Sequence, residues 1–129
     1  MGVRRVYKAL VKTGDGKLVS IWAGTYAGRE LEYEEGKITH NPEGGMGIFV
    51  TATIKEAKTA AFENGAARAG ECGGQLKVYE ATPIGKILSK KEINLYSEHD
   101  RYPAIRLEEE VWSSEAFHSM GFLHCFTYR

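Results

Sequence analysis

Arginine and aromatic side chains occur together in three loop-like stretches of the chain, where they have the chemistry to hold a small anionic ligand. An arginine can clamp a phosphate through parallel hydrogen bonds, and an aromatic ring can stack on a base. The stretches carry Trp22, Tyr26 and Arg29, then Arg68, then Arg101 and Tyr102. These side chains could form one ligand pocket, and the alternative is that they only pack and solvate the domain.

Nucleophilic and metal chemistry have weaker support. Cys72 precedes two glycines, and any of four histidines could reach it in space, but no spacing links a particular histidine to it. His118, His124 and Cys125 are the closest group of potential metal ligands, yet strand alternation sends His124 and Cys125 to opposite faces. The sequence therefore predicts no metal site, and it indicates no cofactor.

The glycines do not form a nucleotide-phosphate loop. Gly44, Gly45 and Gly47 lack the spacing of the known motifs, and they precede an apolar run typical of a strand rather than a helix. We therefore expect no nucleotide binding of the P-loop or Rossmann kind.

Length and charge limit the class of protein. The 129 residues suit a single domain spanning residues 1–129, and 17 Lys and Arg balance 17 Asp and Glu. A neutral chain is unsuited to long nucleic acid or an anionic membrane surface, but a small nucleotide or a protein surface remains compatible with it. Because no apolar run resembles a signal peptide or a membrane span, we expect a cytoplasmic protein.

The hydrophobic pattern predicts the elements that must position these residues. Residues 6–11 and 18–22 flank an Asp-Gly turn and predict a hairpin, and residues 46–52, 75–81 and 104–112 predict further strands. Thr53 and Glu56 match a capping box, which predicts a helix over residues 54–64 with Ile54, Ala57, Ala60 and Ala61 buried and Gly65 as its stop.

Residues 113–120 could form a short helix, and residues 121–129 predict a last strand. The fold class is therefore α+β, with a mostly antiparallel sheet of about six strands, one main helix and long glycine-rich loops.

The order of these segments resembles small bacterial and phage-encoded domains whose pattern is similar to a pared-down ADP-ribosyltransferase core. The resemblance covers roughly residues 6–112 and is carried by the strand order rather than by a diagnostic motif. It implies that Lys8 stands where those enzymes have an Arg or His, Ser20 where they have a Ser, and Glu80 where they have a catalytic Glu.

Three functions follow as expectations. The first is a binding protein of the phage or mobile-element accessory type, which engages a nucleotide-like small ligand or a host protein and has no catalytic activity. The second is an enzyme acting on NAD or an ADP-ribose derivative through Glu80. The third is a homo-oligomer whose last strand pairs with another subunit.

Overall fold

The computed structural model describes residues 5–21, 31–41, 47–88 and 100–116. Its elements, in chain order, are β1 (Val6–Lys12), β2 (Leu18–Ser20), β3 (Glu32–Tyr33), β4 (Ile38–His40), β5 (Ile48–Val50), α1 (Ile54–Cys72), β6 (Gln75–Ile84), β7 (Asp100–Tyr102) and β8 (Ala104–Ser113).

Six of the strands form one antiparallel sheet in the order β3-β2-β1-β6-β8-β4. Strands β5 and β7 form a second, two-stranded sheet. The two sheets are joined where Tyr7 and Thr51 exchange both backbone hydrogen bonds at 2.9 Å. The predicted α+β class and the predicted β1–β2 hairpin are confirmed.

The helix starts as predicted and ends eight residues later than predicted. The Thr53 hydroxyl accepts a hydrogen bond from the Glu56 amide at 3.1 Å, which satisfies one of the free donors of the first turn. The prediction that Gly65 stops the helix is wrong, because Gly65 lies inside α1. A Cβ on Gly65 would be 3.1 Å from side-chain atoms of both Ile21 and Leu76. Gly65 therefore permits close packing of α1 on the sheet.

The helix ends at Gly73, which has the left-handed φ of 62° and donates its amide to the Ala69 carbonyl. The glycines of residues 70–74 predict a loop, but the first three of these residues belong to α1. Three of the predicted buried positions, Ala57, Ala60 and Ala61, are buried, whereas Ile54 is 36% exposed.

Alternation along β1 divides the core into two clusters, one on each face of the large sheet. Ala9 and Val11 pack with the alanines of α1. Val6 and Leu10 pack on the opposite face, in a cluster that includes Tyr33 and Tyr102. Side chains at alternate positions of β1 therefore lie in two different environments.

The sequence indicates a short strand near residues 31–33, where β3 lies, within a stretch from residue 23 to residue 47 that is otherwise expected to be irregular. It does not predict β4, which lies in that stretch, and it predicts only an extended course from Tyr102, so β7 is also new. One expected break is absent. Pro83 lies within β6, opposite Ile105 of β8, where the sequence predicted an interruption. The positive φ of Gly85, 84°, comes directly after the strand ends.

The short helix predicted over residues 113–120 is absent where the structure describes it, because Ser113 ends β8 and residues 114–116 are not helical. The rest of that segment and the predicted last strand over residues 121–129 lie outside the described residues. Residues 92–96, whose sequence fits either a short strand or a helical turn, also lie outside them. In the part of the chain that is described, no helix is both long and apolar enough to cross a membrane.

Candidate functional site

A buried lysine is the centre of the candidate site. Lys8 lies in the middle of β1, is 3% exposed and has Val6 and Leu10 as its neighbours on the same face. Its Nζ atom donates a hydrogen bond to the Phe49 carbonyl at 2.8 Å. The same atom lies 4.1 Å from the centre of the Phe49 ring and 5.8 Å from that of Tyr33. The amine is thus held by one carbonyl and two aromatic rings.

A second cation approaches the same aromatic ring. The Cζ atom of Arg101 lies 5.6 Å from the centre of the Phe49 ring. Desolvation by burial, and secondarily the charge of Arg101, lowers the pKa of Lys8 to about 7. Within the described ranges, no carboxylate forms an ion pair with Lys8. Lys8 therefore gains or loses its proton near neutral pH.

The approach of Arg101 depends on a glycine. Arg101 and Phe49 are direct partners in the β5–β7 pairing. Gly47 has a φ of 85°, and a Cβ there would lie 2.7 Å from Leu88 Cδ1 and 3.1 Å from Arg101 Cβ. The Gly47 carbonyl accepts a hydrogen bond from Arg101 at 3.4 Å. A larger residue at position 47 would clash with Leu88 and crowd the arginine.

Ser20 is linked to the site by a hydrogen bond with Tyr33, whose ring lies near Lys8. Ser20 lies in β2, directly opposite Leu10 of β1, and so faces the same side of the sheet as Lys8. Burial raises the pKa of Tyr33 well above its usual range, and a side-chain hydrogen bond with Ser20 opposes that rise. The structure therefore brings together Lys8 and Ser20, which the sequence singled out, with Tyr33 between them.

Tyr102 belongs to the same face but contributes mainly to the core. It is 5% exposed, pairs with Ile48 in the small sheet and packs in the cluster that contains Tyr33. Among the predicted binding residues, Lys8, Ser20 and Tyr102 are therefore on this side of the large sheet, and Arg101 approaches Lys8 through the Phe49 ring.

Glu80 is on the other face. It lies opposite Tyr7 in the β1–β6 pairing, whereas Lys8 lies opposite Tyr79. Because consecutive residues of a strand point to opposite faces, Glu80 points away from Lys8 and Ser20. Its carboxylate forms an ion pair with Arg5. The three residues implied by the ADP-ribosyltransferase resemblance thus do not meet at one site.

Arg68 is also separated from the site. It lies in α1 rather than in the predicted loop, on an element that packs on the face of the sheet opposite to Lys8. The remaining predicted binding residues, Trp22, Tyr26 and Arg29, lie outside the described residues.

Hydrogen bonds tie several chain segments together near Arg101. The Leu88 amide donates to the Arg101 carbonyl at 2.8 Å, and the Gly47 amide donates to Asn41 Oδ1 at 3.1 Å. Segments that are distant in sequence therefore converge around Arg101.

Sequence reasoning missed Phe49 and Tyr33, which form the walls around Lys8. One signal was present: Lys8 interrupts an apolar run in a strand that is buried along most of its length.

Across the described ranges, no three His, Cys, Asp or Glu side chains come together in a way that could hold a metal ion.

Neither a protein-family model, nor a curated protein, nor a solved structure matches the chain.

Proposed function

We propose that this protein is a binding domain for a small, anionic, nucleotide-like ligand, which it holds at Lys8 and Arg101. The observation that carries the proposal is the convergence of these two cations on the Phe49 ring, 4.1 Å and 5.6 Å from its centre. The anionic group of the ligand would bind between them.

The energetics of burial support this proposal. Placing an ammonium group in a core is costly unless an opposite charge or a set of hydrogen bonds compensates for it. Lys8 donates a hydrogen bond to a neutral carbonyl and is repelled by Arg101. An anion at this position would favour the protonated lysine, so ligand binding and proton uptake would be coupled.

The surroundings of the two cations are aromatic. Phe49 is 8% exposed and Tyr33 is 6% exposed, and both rings contact the lysine. A base that stacks on one of these rings would take the place of the Lys8 ammonium there, and the ammonium would then contact the phosphate of the ligand. A neutral protein can bind such a small ligand without attracting long nucleic acid.

Binding rather than catalysis is the activity that we propose. The acid that the resemblance assigns to catalysis, Glu80, is turned toward the opposite face and is paired with Arg5. An ADP-ribosyl transfer that uses Glu80 together with Lys8 has no geometric support in this arrangement.

Isothermal titration calorimetry with AMP, ADP-ribose and inorganic phosphate tests the proposal. We expect at least one of the organic phosphates to bind, and Lys8→Met to weaken its affinity about 10-fold or more. Lys77→Met is the matched control, because Lys77 is also a buried strand lysine but is bonded to Glu110. Equal affinity in the wild type and in Lys8→Met, or no heat with any probe, would rule the proposal out.

A further inference from the structure

A shallow groove runs along the outer side of α1. It has a volume of about 420 Å³ and is lined by Ile54, Lys55, Lys58, Thr59 and Phe62. These positions repeat at the spacing of one helix face, so they form a continuous stripe. Phe62 is 52% exposed and Ile54 is 36% exposed, which leaves two large apolar side chains facing solvent at the two ends of the stripe.

Trp112 of β8 supports one end of the groove. Its ring meets Phe62 edge to face, with 5.6 Å between the ring centres and an angle of 63° between the planes. The Nζ atom of Lys58 lies 5.0 Å from the centre of the same tryptophan ring. Phe62 and Lys58 are therefore held in place by a residue of the sheet, and the groove has a defined shape.

The lining carries two positive charges and no carboxylate. Lys55 and Lys58 are both lining residues. Two acids of the helix lie beside the lining: Glu56 takes part in the cap, where its carboxylate lies 3.2 Å from the Thr53 hydroxyl, and the exposed Glu63 follows Phe62 at the far end of the groove from Lys55. A partner that fits this surface needs an apolar side chain for the stripe and negative charge for the two lysines.

We propose that this groove docks a segment of another protein in which a large apolar side chain is flanked by Asp or Glu residues. The apolar side chain lies along the stripe between Ile54 and Phe62, and the carboxylates contact Lys55 and Lys58. This surface is on the helix side of the sheet and is separate from Lys8, so the inference does not depend on the proposed small ligand.

A second copy of this chain is a poorer occupant. The acids of β8 would be its most concentrated source of negative charge, but two of them already have partners. Glu108 accepts hydrogen bonds from Arg106 and Thr82, and Glu110 pairs with Lys77 at 3.0 Å. Docking these carboxylates on the groove would break those interactions.

Single-stranded nucleic acid is also disfavoured. Proteins that bind it use several rings with free faces along a track of positive charge. Here Phe62 and Lys58 both contact the Trp112 ring, so that ring is already engaged, and the lining supplies two cations. An acidic peptide, in contrast, needs only a single apolar side chain to fill the groove.

The test is a titration of ¹⁵N-labelled full-length protein with a synthetic peptide of Phe and Leu alternating with Asp and Glu. We expect amide shifts concentrated at Lys55, Lys58 and Phe62. We also expect Phe62→Ala and Lys58→Glu each to weaken binding about 10-fold or more, because the first removes an apolar wall of the groove and the second reverses one of its positive charges. Ile38→Ala and Lys37→Glu are the matched controls on exposed residues elsewhere, and they should leave affinity unchanged.

Four outcomes would overturn the inference. They are no peptide binding, equal binding of a peptide with Lys in place of its acids, preferential binding of oligothymidylate, and shifts of the same amides with protein concentration alone. The last result would identify a second copy as the occupant. Because Phe62 is half exposed, its replacement is expected to preserve the fold, which the spectrum of the variant itself reports.

Discussion

The Nζ atom of Lys8 lies 2.8 Å from the Phe49 carbonyl oxygen and 4.1 Å from the centre of the ring of the same residue. One residue of β5 thus provides both the hydrogen-bond acceptor and the aromatic face for a lysine of β1. The β5–β7 sheet also positions Arg101 against that ring. The small sheet is therefore the element that builds the polar site around Lys8.

Stability should increase between pH 7 and pH 9 because of Lys8. The pKa of Lys8 falls from 10.5 to about 7 on folding, so the unfolded state binds more protons across this interval. Under that condition the free energy of unfolding rises with pH, by up to about 1.4 kcal/mol per pH unit for one group. Urea denaturation at a series of pH values measures this slope.

Replacing Lys8 separates its contribution from that of other groups. We expect Lys8→Met to flatten the slope and to raise the free energy of unfolding at pH 7, because an apolar side chain replaces a buried amine. Lys37→Met, at an exposed position, should keep the slope of the wild type. A slope that persists in Lys8→Met would show that Lys8 is not the responsible group.

Ser20 and Tyr33 should behave as one hydrogen-bonded pair. Ser20→Ala removes the interaction that opposes the rise in the pKa of Tyr33, so that pKa should move higher still. We expect Ser20→Ala and Tyr33→Phe each to cost about 1 kcal/mol. The double variant should cost less than the sum of the two single variants.

The pKa of Tyr33 can be followed by NMR of tyrosine labelled at Cζ. Additive losses in the double-mutant cycle, or an unchanged Tyr33 titration in Ser20→Ala, would contradict the pairing. Thr39→Ala, on the edge strand β4, serves as a control for loss of a hydroxyl in a strand.

The elements that the sequence predicts correctly are those fixed by a few residues close together in the chain. The Asp-Gly turn predicted the β1–β2 hairpin, and Thr53 with Glu56 predicted the start of α1. The end of α1 could not be predicted in this way, because the role of Gly65 depends on its distance from Ile21 and Leu76. Glycine stops a helix or allows close packing, and only the tertiary structure distinguishes the two.

The candidate site was predictable only in part for the same reason. Lys8 and Ser20, which the resemblance implied, lie on one face of the sheet, and Arg101, singled out by residue type, approaches Lys8 through the Phe49 ring. Arg68, also singled out by residue type, and Glu80, implied by the resemblance, lie elsewhere. The face on which a strand residue lies follows from the register with its partner, which the sequence does not encode locally.

The N-cap of α1 should contribute measurably to stability. Thr53→Ala removes the acceptor for the Glu56 amide, so we expect the free energy of unfolding to fall by about 1 kcal/mol. Thr59→Ala is the control, because Thr59 lies inside the helix and is exposed, and alanine there should be neutral or slightly stabilising. Equal losses in both variants would argue against the cap.

The junction between α1 and β6 should tolerate no side chain at Gly74. A Cβ at this position would overlap the Lys12 carbonyl oxygen, and that oxygen belongs to the backbone of β1. Because neither backbone can move without breaking the β1–β6 pairing, Gly74→Ala should lower the free energy of unfolding by about 3 kcal/mol or more.

Gly73→Ala gives a matched comparison one residue earlier. Gly73 has a φ of 62°, but no atom lies within 4 Å of the position that a Cβ would take, so only backbone strain opposes alanine there. We expect a loss of about 1 kcal/mol. Chemical denaturation of both variants checks the order, and a Gly73→Ala that is as destabilised as Gly74→Ala would mean that conformational strain, not the contact with Lys12, limits this junction.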